Sequence, residues 1–140
     1  MNALFEFGKN YIEVANFKHY PEDAANANPY NSGFNLYVLS GDFMGIGECE
    51  YDIKEFRRFV SELEEMYEFK RYSVELSEIC YGAKIIFEMN RTGQINVSGT
   101  IYGSCMLHSM TFEFEADQTA LPPFIKQLRE ILERYDRSRR

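Results

Sequence analysis

The sequence predicts an α+β fold: an antiparallel β-sheet of about seven or eight strands, including a four-strand meander, with two α-helices packed on it. Two observations carry this. Short runs of residues alternate between apolar and polar, which is the period of a strand with one covered face. Two other segments repeat their apolar residues at the spacing of a helix, and such helices supply the cover that an apolar sheet face requires. At 140 residues, 45% of them hydrophobic and with twelve Phe and ten Tyr, the chain can bury a sizeable core, and residues 1–140 are expected to form one domain.

Leu4 to Phe7 and Tyr11 to Phe17 form a strand pair around Gly8-Lys9-Asn10, a hairpin-type connection. Residues 19 to 32, HYPEDAANANPYNS, hold two prolines and three asparagines with no periodic apolar face, so a long loop is expected. Phe34, Leu36 and Val38 then alternate as a strand, and GDFMGIGECEYD (Gly41 to Asp52) is its continuation or its hairpin partner, with Gly41-Asp42 as the turn. Asp52 followed by Glu55 has the arrangement of a capping box. The stripe Ile53, Phe56, Phe59, Val60, Leu63, Met66 and Tyr67 places a helix that runs to about residue 68.

From Tyr72 to Glu115 the chain reads as four antiparallel strands in sequence. Ile85/Phe87/Met89, Ile95/Val97/Ile101 and Met110/Phe112/Phe114 mark the apolar faces, and Asn90 to Gly93 and Tyr102 to Ser104 make turns. Asp117 or Thr119 can cap a last helix with Pro122 and Pro123 in its first turn. Its stripe of Phe124, Leu128, Ile131, Leu132 and Tyr135 fades near Asp136, before a basic, frayed end at Arg137 to Arg140.

The formal charge is −7. Residues 1–70 carry 13 acidic and 6 basic side chains, and residues 71–140 carry 9 of each, so the whole excess belongs to the first half. That sign repels nucleic acid and anionic membrane and favours a cationic protein partner. No apolar stretch approaches a membrane span and the start, MNALFEFGKN, lacks a basic n-region, which predicts a cytoplasmic protein. Cys49, Cys80 and Cys105 form neither an even set nor a CxxC pair. They suit a reducing compartment and read as small buried hydrophobes.

Several chemistries fail on spacing. Gly45-Ile-Gly47 is followed by Glu50 at the position where a dinucleotide-binding loop needs its third glycine. These glycines read as allowing a bulge, a bend or close packing of a neighbour. Cys105 and His108 have odd separation, so on a strand they cannot share a metal ion. His108 shares the parity of Met110 and Phe112 and is expected at the core edge, with His19 exposed in the long loop. Ser104, Cys105 and His108 lack a placed base and orienter for nucleophilic catalysis. The pairs Glu48/Glu50 and Glu113/Glu115 share strand faces, but a catalytic pair also needs a cleft that separates their pKa values. The chain therefore reads as no enzyme, with no metal and no cofactor.

Three stretches, FNLYVLSGDFMGIGECEYDI leading into EFRRFVSELEEMY, the meander AKIIFEMNRTGQINVSGTI, and LHSMTFEFEADQTALPPFIKQLREIL, resemble the WapI-type immunity proteins of bacterial polymorphic toxin systems. The family's F-E-F-E-x-D-Q-T segment before the last helix is matched by Phe112 to Thr119, and the resemblance spans about residues 34 to 132. It implies a small non-enzymatic protein that binds and neutralises a cognate toxin domain, often a nuclease acting on tRNA. An acidic inhibitor meets a cationic toxin surface quickly through electrostatic steering. Partner-binding candidates are Glu48 and Glu50, which share a strand face beside the capped helix, Glu62 and Glu65 on the helix surface, and Asp117, which also has a capping role. A small-ligand or regulatory domain, with the aromatic residues lining a cavity, is the alternative.

Overall fold

The computed structural model describes residues 2–138. In chain order the elements are β1 (Ala3–Phe7), β2 (Asn10–His19), α1 (Pro21–Ala25), β3 (Ser32–Ser40), β4 (Phe43–Tyr51), α2 (Ile53–Tyr67), β5 (Ser73–Ser77), β6 (Lys84–Met89), β7 (Gln94–Tyr102), β8 (Ser109–Asp117) and α3 (Leu121–Ser138). Single 3-10 turns occupy Ser104–Met106 and Gln118–Ala120. The eight antiparallel strands form two meanders, β1-β2-β3-β4 and β5-β6-β7-β8. The break between them falls at α2, which separates β4 from β5 in the chain.

Two-residue turns need residues that tolerate positive φ, and Gly41 (φ 63°) supplies one between β3 and β4. GDFMGIGECEYD is therefore a turn and a hairpin partner. The register of β3 against β4 is unbroken from Ser32/Tyr51 to Ser40/Phe43, so β4 has no bulge. The first sheet bulges instead in β2, between Ala15 and Lys18, where Asn16 takes φ 56°. Close packing explains the glycines: a Cβ on Gly45 would lie 2.7 Å from the Met110 sulfur, and one on Gly47 3.0 Å from Ile101 Cβ. The missing side chains let the two sheets approach where β4 meets β7 and β8.

One apolar cluster joins both sheets and the helices α2 and α3. Phe5 of β1 meets Phe87 of β6 edge-on at 5.3 Å and Phe124 of α3 at 5.7 Å, while Phe59 of α2 lies 6.0 Å from Phe87. Each fully buried phenyl contributes roughly 2–3 kcal/mol by area. These aromatic rings fill the core by packing on one another. The Asp52 carboxylate accepts from Lys54 N at 2.9 Å and caps α2, and Asp117 accepts from Thr119 N at 2.9 Å and from its hydroxyl before α3. Both caps agree with the residue pattern. Glu55, however, pairs with Arg58 at 2.9 Å, so the reciprocal half of the capping box gives way to an ion pair.

Several expectations are corrected. Residues 19–32 are not all loop: β2 continues to His19, and Pro21–Ala25 makes one short helix. α3 runs to Ser138 instead of fading at Asp136. Arg137 sits on α3 with its Nε on the Glu133 carbonyl at 3.4 Å, and Arg139 and Arg140 lie outside the described residues. Cys80 and Cys105 are exposed and Cys49 alone is buried, because Cys80 and Cys105 fall in connections between strands. His108 is exposed in the connection before β8, which starts only at Ser109, so its parity with Met110 has no strand to act through. His19 is half-buried, with its ring 3.9 Å from that of Tyr135 and Nδ1 3.0 Å from the Ser32 hydroxyl.

Candidate functional site

Alternate residues of a strand share a face, and register carries that face across a sheet. In the first sheet Phe5, Ile12, Val14, Leu36, Val38 and Cys49 face the core. The opposite parity faces outward in two ranks, Glu6-Tyr11-Leu39-Met44 and Leu4-Glu13-Tyr37-Ile46, followed by Asn35 beside Glu48 and Gly33 beside Glu50. Tyr11, Tyr37 and Leu39 are half-buried, whereas Met44 and Ile46 are 60% and 52% exposed. An apolar and aromatic centre with an acidic border is thus presented on an uncovered sheet face, the composition of a protein interface.

The acids differ in their company. On the helical side the charges are paired off: Arg58 with Glu55 and Glu62 (2.9 and 2.6 Å), Arg71 with Glu65 (3.2 Å) and more distantly with Glu62 (3.8 Å), Arg57 with Asp136 (2.9 Å), and Arg129 with Glu64. Glu6, Glu13, Glu48 and Glu50 have no ion pair among the described residues. The negative excess of the first half of the chain is therefore neutralised along α2 and left bare on the first sheet.

Of the five sequence candidates, Glu48 and Glu50 come together on the outer face of β4. Glu62 and Glu65 lie on α2 with their carboxylates occupied by Arg58 and Arg71. Asp117 is engaged in its cap. Beside Glu48 and Glu50 the sheet carries a recess of about 160 Å³ lined also by Lys18, Tyr20, Tyr30 and Asn35. Both tyrosines are exposed.

Two buried polar residues, which the residue pattern did not point out, hold this corner. Asn31, 2% exposed, accepts from Ile53 N (2.8 Å) and from the Ser32 hydroxyl (3.0 Å), donates to the Asn28 carbonyl (2.9 Å), and accepts from Tyr20 N on its own carbonyl (2.8 Å). It fastens the segment bearing Tyr20 and Tyr30 to the first turn of α2. Glu78, 4% exposed, accepts four backbone N–H groups: Glu50 (3.2 Å) and Cys80 (2.7 Å) on Oε1, Tyr81 (2.6 Å) and Gly82 (3.2 Å) on Oε2. A buried carboxylate is tolerable when N–H donors surround it in this way. Ile79 N also donates to the Glu50 carbonyl at 3.2 Å, so the end of β4 is clamped by the chain that follows β5.

Cys49 offers no reactive thiol. Burial, with the Glu78 charge second, pushes its pKa up to about 12, and a thiol held protonated is a poor nucleophile. Among the described residues no group of three or more His, Cys, Asp or Glu side chains is placed to hold a metal ion. No helix among them is long and apolar enough to cross a membrane.

The architecture is an α+β fold with two four-strand antiparallel sheets. The chain is similar in structure to MRP1/MRP2 from Trypanosoma bruciei, with a TM-score of 0.55 at 10% identity, covering 100% of this chain and 87% of that one; at that identity the likeness concerns the fold alone. No curated protein matches the sequence. The profile described as "Immunity protein WapI-like family" matches residues 10–136, and the chain belongs to that family.

Proposed function

We propose that this protein is an immunity protein that binds and neutralises a cognate toxin domain through the outer face of the first sheet, without catalysing a reaction. It acts in the cytoplasm as one folded domain, and its target is a nuclease with a cationic substrate surface. Family membership supports the toxin-binding role. The observation that carries the choice of surface is the contrast in pairing: Glu48 and Glu50 stand bare beside Tyr20, Tyr30, Met44 and Ile46, while the acids of α2 are already held by arginines. Bare carboxylates raise the association rate with a cation, and the exposed apolar and aromatic side chains supply what slows dissociation. A recess with two tyrosines and two carboxylates fits a guanidinium, which can stack on the rings and bond the acids.

The test is binding of a catalytically inactive form of the toxin domain encoded beside this chain's gene. The wild-type chain is expected to form a complex at or below micromolar concentration. The pair Glu48→Gln with Glu50→Gln slows association about tenfold at low ionic strength, with the difference shrinking as salt is added. A wild-type chain that forms no complex and does not rescue cells expressing the toxin overturns the reading. An association rate untouched by the double substitution overturns the choice of surface.

A further inference from the structure

The edge of β4 has a property of its own. In an antiparallel pair the backbone groups of alternate residues point away from the partner strand. Both backbone groups of Glu50 point away from β3, since its N–H goes to Glu78 and its carbonyl takes Ile79 N. With the register unbroken, Met44, Ile46 and Glu48 present theirs on the same side, and these have no partner among the described residues. The chain thus begins to add a further strand to this edge at Glu50 and leaves the remainder open.

Exposed edges are usually blunted by charge, proline, bulges or a covering element. β8, the other long edge, is blunted: its outward side chains are Ser109, Thr111, Glu113 and Glu115, and the Glu113 carbonyl takes the Ser40 hydroxyl at 3.1 Å. β1 receives Gln127 on Leu4 N at 2.8 Å, and the β5 edge receives Arg58 on the Glu75 carbonyl at 3.1 Å. The open part of β4 has no lysine, proline or bulge, and it carries Met44 and Ile46 next to Glu48. A second copy of this chain is a poor occupant, because each copy brings a charge of −7 and its own bare Glu48 and Glu50.

We propose that an extended segment of the cognate toxin adds to β4 as a fifth strand of the first sheet, bonding the backbone of Met44, Ile46 and Glu48, with Lys or Arg at alternate positions facing Glu48 and Glu50. Main-chain bonds give this mode its affinity, and the alternate side chains give it specificity. The proposal rests on the toxin-binding reading above and names how that binding is made.

The experiment uses the same inactive toxin domain and two variants. Ile46→Pro removes one outward N–H without taking a donor from the β3/β4 ladder, and Ile46→Ala removes the side chain while keeping that N–H. With circular dichroism unchanged, Ile46→Pro is expected to weaken the complex about tenfold beyond Ile46→Ala. In the wild-type complex the amides of Met44, Ile46 and Glu48, followed by NMR hydrogen exchange, are expected to slow about tenfold or more relative to the free chain. Equal affinities of the two variants, or unchanged exchange at those amides in a complex that does form, overturn strand addition and leave toxin binding standing. If Ile46→Pro disturbs the fold, the exchange measurement decides alone. Protection of the same amides in the chain by itself, rising with its concentration, assigns the edge to a second copy and overturns the proposal. Failure of the wild-type chain to bind overturns both readings.

Discussion

Replacing Glu78 by Gln tests whether one buried carboxylate organises the end of β4. Each oxygen of Glu78 takes two backbone N–H groups, from Glu50 and Cys80 on one side and from Tyr81 and Gly82 on the other. A carboxamide has one oxygen and one NH₂, so in either orientation two donors face a donor. Hydrogen bonds to a charged group contribute roughly 1.5–3 kcal/mol each, which puts the loss of two at about 3–6 kcal/mol. Cys80 and Gly82 are exposed, so water replaces part of this, and about 2–4 kcal/mol remains. For a domain of this size that corresponds to a fall in Tm of roughly 6–12 °C. Guanidinium titration and scanning calorimetry at neutral pH measure it, with Glu48→Gln as a control expected within about 0.5 kcal/mol of wild type. A Glu78→Gln variant as stable as that control refutes the reasoning, since it means the four N–H groups are satisfied equally well without the carboxylate.

A methyl group at Gly99 would collide with the Lys84 carbonyl oxygen and sit 3.0 Å from Phe112, so Gly99→Ala should destabilise by about 3 kcal/mol or more, whereas Gly45→Ala, whose nearest neighbour is the movable Met110 sulfur, should cost about 1 kcal/mol; chemical denaturation ranks them. Alkaline stability follows from Cys49. Its folded pKa of about 12 lies above the ordinary 9.0, so its contribution is complete below pH 9 and is lost as pH rises from 9 towards 12, at about 1.4 kcal/mol per unit. Cys49→Ala should flatten that part of the stability curve, and an unchanged slope counts against the burial of the thiol. Native protein should also give two thiols to a water-soluble alkylating reagent, Cys80 and Cys105, with Cys49 reacting only after unfolding.

What could be read from the residues is what depends on near neighbours. Period-two alternation marked three of the four strands of the second meander, and the caps Asp52 and Asp117 were visible because their amide partners lie two residues away. Alternation states which side chains share a face but not which strands pair, so the division into two sheets could not be seen in it. Glu78 and Asn31 escaped for the same reason: their decisive contacts are Glu50 and Ile53, 28 and 22 residues distant. A lone Glu or Asn between strands looks solvated until that distance is closed. Glu65 and Glu48 looked alike as surface acids. They separate only when Arg71, from the segment after α2, is found beside one of them.

The parity that divides the first sheet has a further consequence. Tyr11, Tyr37, Met44, Ile46 and Glu48 stand on the opposite side of their strands from Phe5, Ile12, Leu36 and Val38. The core is thus built by one set of positions and the outer surface by another. Substitutions in the outer set leave the buried packing as it was, so that face can change its chemistry without passing through a sequence that fails to fold.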